Sequence, residues 1–97
     1  MISLIATMKI KEGKKDDVLK LFGDLVPKVR EEKGTAGYVV CQNGAVPDSL
    51  TIVERYSDME AIQAHTSSAY FKDFSRAIAP FLDGRAEITL LEELIAL

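Results

Sequence analysis

Residues 37–56, GYVVCQNGAVPDSLTIVERY, decide how this chain folds. Gly37–Gln42 and Leu50–Tyr56 are short runs rich in Val, Ile and Tyr, and between them stand Asn43, Gly44, Pro47, Asp48 and Ser49, which favour turns. The stretch reads as a hairpin with a longer loop. On its N-terminal side, Gly13 is an acceptable helix cap and Asp16 and Asp17 suit a positive first turn. Val18, Leu21, Phe22, Leu25 and Val29 then recur at helical spacing, predicting a long amphipathic helix that ends at Gly34. Pro27 falls inside it, but the carbonyl its ring crowds belongs to Gly23, so a bend is expected rather than a break. Further out, Ile2, Leu4, Ala6, Met8 and Ile10 alternate with Ser3, Ile5, Thr7 and Lys9 as in a strand.

On the C-terminal side, Ser57 and Glu60 have the spacing of a capping box, which starts a helix at Asp58. Thr66, Ser67 and Ser68 interrupt it, and Tyr70, Phe71, Phe74, Ala77, Ile78 and Phe81 restore helical spacing until Pro80 and Gly84 close the segment. Ala86, Ile88 and Leu90 then alternate with Glu87, Thr89 and Leu91 in a last strand reaching about Leu94. The order βαββαβ is most simply satisfied by a four-stranded antiparallel sheet with its helices on one face, an α+β fold of ferredoxin-like type over residues 1–97 as a single domain. The other strand parity carries Ile5, Val39, Val53 and Leu91, which is apolar enough to predict a homodimer through the open sheet face.

Composition excludes several functions. Twelve Lys and Arg against 15 Asp and Glu leave a net charge of −3, and Lys14 and Lys15 are followed at once by Asp16 and Asp17, so no phosphate-backbone footprint forms and no nucleic-acid partner is expected. No apolar run approaches the roughly 20 residues of a membrane span, and Met1–Ile10 reads as a strand, so a cytoplasmic protein is expected. Cys41 and His65, each the sole residue of its type, cannot by themselves furnish a structural metal site. Glycine-rich phosphate loops and nucleophile-elbow signatures are absent.

What remains is a small set of polar and aromatic residues. His65, beside the Thr66–Ser68 break, is either a general base or a residue capping a helix C-terminus. Glu54 interrupts the apolar parity of Leu50, Ile52 and Tyr56. It is either a buried carboxylate able to accept a proton or the partner of Arg55, Arg76 or Arg85. Tyr38, Tyr56, Tyr70, Phe71 and Phe74, with Phe81, line either a slot for a flat aromatic ligand or a plain core.

The stretch Leu25–Gly34 with Pro27, the following Gly37-Tyr38, the Pro47-Asp48-Ser49 strand entry, Glu54-Arg55-Tyr56, Glu60-Ala61 with Ala64-His65, and Phe71 to Phe74 together resemble the antibiotic biosynthesis monooxygenase family over essentially the whole chain. Within it the pattern is most similar to the small bacterial quinol monooxygenases. The resemblance implies a dimeric α/β barrel of ferredoxin-like units, with a pocket between sheet and helices for flat aromatic or polyketide-like substrates, and oxygenation with no cofactor, neither flavin nor metal. It implies His65 as the first choice of catalytic polar group, with Glu54 at the acidic and Tyr56 at the aromatic position. Tyr56 stands where relatives often carry Trp. The haem-degrading branch uses a first-strand Asn, where this chain has Ala6 and Thr7. Other relatives are isomerases of phosphorylated sugars, a chemistry for which a basic residue such as Arg76 or Arg85 would have to face the ligand.

Overall fold

In a computed structural model describing residues 1–97, the strand and helix periodicities resolve into β1 (Ile2–Lys9), α1 (Lys15–Arg30), β2 (Thr35–Gln42), β3 (Ser49–Tyr56), α2 (Met59–Ser67), α3 (Ala69–Ile78) and β4 (Glu87–Glu92), with a 3-10 turn at Ala79–Phe81. The strands form one antiparallel sheet in the order β2-β3-β1-β4. This is the expected ferredoxin-like α+β arrangement. Even-numbered residues of β1 and β3, among them Leu4, Ala6, Met8, Leu50 and Ile52, form one core with Val18, Phe22, Leu25 and Val29 of α1, Ile62 of α2 and Ile78 of α3.

Several boundaries differ from expectation for identifiable reasons. Helix α1 runs unbroken through Pro27 but stops at Arg30, and Lys14, not Gly13, precedes its first turn. Gly13 instead has a φ of 78°, the left-handed conformation glycine adopts freely. The start of α2 is capped by Asp58, whose carboxylate accepts from the Ala61 amide at 2.9 Å, so the capping box at Ser57 does not form. A carboxylate is the stronger acceptor at the positive end of a helix. The Ser57 amide donates to the Gly34 carbonyl at 2.9 Å, which draws the turn before β2 against α2. The predicted break in the second helix is a single residue, Ser68, in extended conformation. Strand β4 ends at Glu92, two residues short of the predicted limit.

The helices leave two apolar surfaces uncovered. On the open sheet face Val39, Val53 and Leu91 are 54%, 37% and 47% exposed. Arg55 clamps that face by binding Glu93 through two nitrogens at 2.7 and 2.9 Å, and Ser3 adds a third donor at 3.0 Å. These hydrogen bonds, mainly Arg55's, hold the Glu93 carboxyl down to about 2. On the helix side, β4 lies beyond the reach of the helices, leaving Ile88 and Leu90 exposed.

Gly34 does not terminate α1 as expected; its role is close approach. A Cβ there would lie 2.4 Å from the Ala61 Cβ and 3.1 Å from the Ser57 Oγ. Its φ is not positive, so the requirement is steric. Gly34→Ala is expected to cost about 1–3 kcal/mol by urea denaturation, as overpacking does. The same change made in an Ala61→Gly background should cost clearly less. Equal costs in the two backgrounds would show that the helix is not what limits this position.

Candidate active site

The site begins with Ser68. Its extended backbone ends α2 and starts α3. Its hydroxyl donates to the His65 carbonyl at 2.7 Å and accepts from the Phe71 amide at 3.3 Å. This one-residue joint sets His65, on the last turn of α2, against Tyr70 and Phe71 on the first turn of α3. The His65 ring is 2% exposed and sits among Phe71, Tyr56 and Tyr38 at centroid separations of 4.5, 5.6 and 5.8 Å. It is a buried side chain and not a solvent-side helix cap.

The partner of His65 is Glu32, just beyond the end of α1. Both Glu32 oxygens lie within hydrogen-bond distance of His65 Nδ1, at 3.0 and 3.1 Å. Thr35 donates to Oε1 at 2.6 Å, and the Tyr70 hydroxyl donates to Oε2. Burial pushes the Glu32 pKa up, but hydrogen bonds from Thr35, Tyr70 and His65, with the His65 charge, outweigh it and hold the carboxyl below its ordinary range. A carboxylate at a helix C-terminus opposes the macrodipole by about 0.3–1 kcal/mol, whereas each hydrogen bond to a charged group returns about 1.5–3 kcal/mol, so the donors win. An ionised carboxylate only accepts. The ring hydrogen facing it therefore belongs to Nδ1, and Nε2 carries a lone pair whenever the ring is neutral. Nε2 is buried and has no partner in the protein.

Glu54 occupies the same side of the sheet, paired across strands with Tyr38 on β2 and Leu4 on β1. It is 6% exposed, and its one partner is the Tyr56 hydroxyl, two residues along the strand, at 2.5 Å. None of the arginines considered from the sequence reaches it. Arg55 points to the other face and binds Glu93, Arg76 lies 3.7 Å from Asp73 on an exposed helix surface, and Arg85 borders a separate polar depression with Lys9 and Asp83. Burial, helped by the charge of Glu32 and opposed by the Tyr56 hydrogen bond, raises the Glu54 pKa to about 7. Burial and neighbouring carboxylates also push the Tyr38 and Tyr56 phenols upward, so both stay protonated near neutral pH.

His65 and Glu54 share a cavity of ≈ 130 Å³ between sheet and helices, walled by Tyr38, Phe71, Phe74 and aliphatic side chains, with Ala86 and Ile88 on its β4 side. A cavity of about 150 Å³ with apolar walls holds benzene, so this one is close in size to a single six-membered ring. Tyr56 and Tyr70 stand behind the wall, holding Glu54 and Glu32 respectively. Phe81 packs at the periphery of the core. A depression of ≈ 230 Å³ at the α1–β2 junction shares Tyr38 but contains neither His65 nor Glu54. Glu32, Thr35, Thr66 and Ile88 join the site without having stood out as candidates in the sequence. For Glu32 one signal existed, because two glutamates directly after Arg30 sit at the negative end of a helix and call for a compensating donor.

The two buried carboxylates act on stability in different pH windows. Glu54, raised in the folded state, binds its proton more tightly there than in the unfolded chain, so stability falls as pH rises from about 4.5 through about 7. Glu32, lowered in the folded state, contributes stability above about 4.5 that is lost as pH falls through its folded pKa. Denaturation midpoints measured from about pH 5 to pH 8 should decline by an equivalent of about 2–3 kcal/mol, and Glu54→Gln should flatten most of that slope. A slope unchanged in the variant would remove Glu54 as its source.

Residues 1–77 match the family model described as antibiotic biosynthesis monooxygenase. The chain is 30% identical to "Probable quinol monooxygenase YgiN" of Escherichia coli K12, in a match that covers 80% of this chain and 85% of that protein. Among solved structures, a conserved protein from Methanosarcina mazei Go1 superposes with a TM-score of 0.93 at 26% identity, over 96% of this chain and 92% of the other. PA3566 from Pseudomonas aeruginosa superposes with a TM-score of 0.87, also at 26% identity, over 97% and 94% of the two chains. With a family match spanning most of its length and a fold shared nearly end to end with these structures, the chain belongs to the antibiotic biosynthesis monooxygenase family.

Proposed function

We propose that the chain is a monooxygenase that oxidises quinols or related phenols with O2, using no flavin or metal, in the cavity between sheet and helices. The observation that carries this reading is the unpartnered, buried Nε2 of His65, held by Glu32 at a cavity walled by aromatic rings. A quinol whose hydroxyl meets Nε2 gives up its proton there, and the electron-rich ring that remains can pass an electron to O2 directly. Carbon–oxygen bond formation followed by loss of water balances as quinol plus O2 giving hydroxyquinone plus water. The protein's tasks are to take the proton, hold the ring and exclude water. Tyr38, whose hydroxyl has no hydrogen bond within the chain, can donate to a second substrate oxygen. The family membership and the name of the E. coli relative support the same reading.

Oxygen uptake by the protein, stripped of metal and flavin, with benzene and naphthalene quinols is the direct test. After subtraction of autoxidation, saturable uptake with hydroxyquinone formation is expected, falling by about 10²–10⁴-fold in His65→Gln if Nε2 is the base. Uptake no faster than the blank for every quinol would reject the proposal, and an unchanged rate in a folded His65→Gln protein would remove His65 from it.

The active form is proposed to be a homodimer joined through the open sheet face, because Val39, Val53 and Leu91 form an apolar strip across three strands. Sedimentation should give a dimer at micromolar concentration, and Val53→Asp should shift it to monomer. A wild-type monomer would reject the interface.

A further inference from the structure

The oxygen-dependent reaction needs one base, and the cavity holds a second titratable group that this reaction leaves idle. Glu54 is buried, without a cation, and bonded only to the Tyr56 hydroxyl through one oxygen. It faces the same ≈ 130 Å³ space as His65. The two groups differ in what they offer: His65 is turned by Glu32 so that Nε2 is left without a partner and carries a lone pair when the ring is neutral, while burial keeps a proton on Glu54 up to about pH 7. A base and an acid kept distinct by their environments in one apolar-walled pocket are the requirements for moving a proton between carbon and oxygen. No Lys or Arg lines the cavity, so a phosphate or carboxylate substrate would enter without a counter-charge. The volume is close to that of one six-membered ring.

We infer that this cavity also catalyses the enolisation of neutral one-ring ketones, His65 Nε2 taking a proton from the carbon beside the carbonyl while Glu54 protonates the carbonyl oxygen. The carbon–hydrogen bond breaks and its electron pair becomes the enol double bond. The carbonyl π pair takes up the Glu54 proton. Glu54 is left as a carboxylate that still accepts from Tyr56, and His65 as an imidazolium against Glu32. Reversal returns both protons, so no oxidant or reductant is consumed. The inference rests on the reading of this cavity as the substrate site, but not on oxygen chemistry.

The test is exchange of the protons beside the carbonyl of cyclohex-3-en-1-one in anaerobic D2O, followed by NMR. Wild-type protein is expected to accelerate exchange saturably over buffer, and Glu54→Gln, which keeps an acceptor for Tyr56, to lower the enzymatic rate about a hundredfold. His65→Gln, checked for folding by circular dichroism, should do the same. Exchange no faster than buffer overturns the inference, as does exchange that survives in folded Glu54→Gln. Exchange without quinol-dependent oxygen uptake supports enolisation and rejects the oxygenase reading; uptake without exchange does the reverse.

Discussion

The site depends on one carboxylate. Glu32 stands at the end of α1 and collects hydrogen bonds from Thr35 at the start of β2, His65 at the end of α2 and Tyr70 at the start of α3. Four elements therefore meet at a single charge. Its burial would be costly without donors; with three side chains supplying them, its ionised form is favoured and each donor loses freedom to turn. The consequence is directional, since a fixed acceptor on one side of the imidazole decides that Nε2 is the nitrogen left without a partner.

Glu54 shows the opposite use of a carboxylate in the same small core. It has no cation and one neutral donor, so burial dominates and the proton is held up to about pH 7. The contrast between the two glutamates follows from how many donors each one meets. Tyr56 and Tyr70 resolve the question of phenols in a core, because each hydroxyl is spent on one of these carboxylates.

The fold supplies the remaining conditions. A sheet covered on one face confines the cavity to the layer between strands and helices, and the absence of helix cover over β4 leaves Ile88 as its exposed flank. Under the proposed function, a quinol larger than one ring has to extend in that direction. The same one-sided covering leaves the strip of Val39, Val53 and Leu91, so that enclosure of the site and exposure of an apolar face are two results of a single layer arrangement.

The order of elements was legible from local pattern: alternation in Ile2–Ile10, helical spacing from Val18 to Val29, and the paired runs within residues 37–56 are properties of neighbours along the chain. His65 and Glu54 were visible as candidates because each breaks its surroundings, one as the sole histidine and the other as a charge within an apolar parity. Their states were not. Whether Glu54 met an arginine or a phenol, and whether His65 capped a helix or turned inward, depended on partners brought together by the sheet register and the Ser68 joint. Glu32 reads locally as part of the solvated run Glu31-Glu32-Lys33, and it lies 33 positions from His65 and 38 from Tyr70. Hydrogen-bond partners at such separations leave no periodic trace, because side-chain periodicity records only which face a residue occupies, while the identity of what it meets there is decided when the layers close.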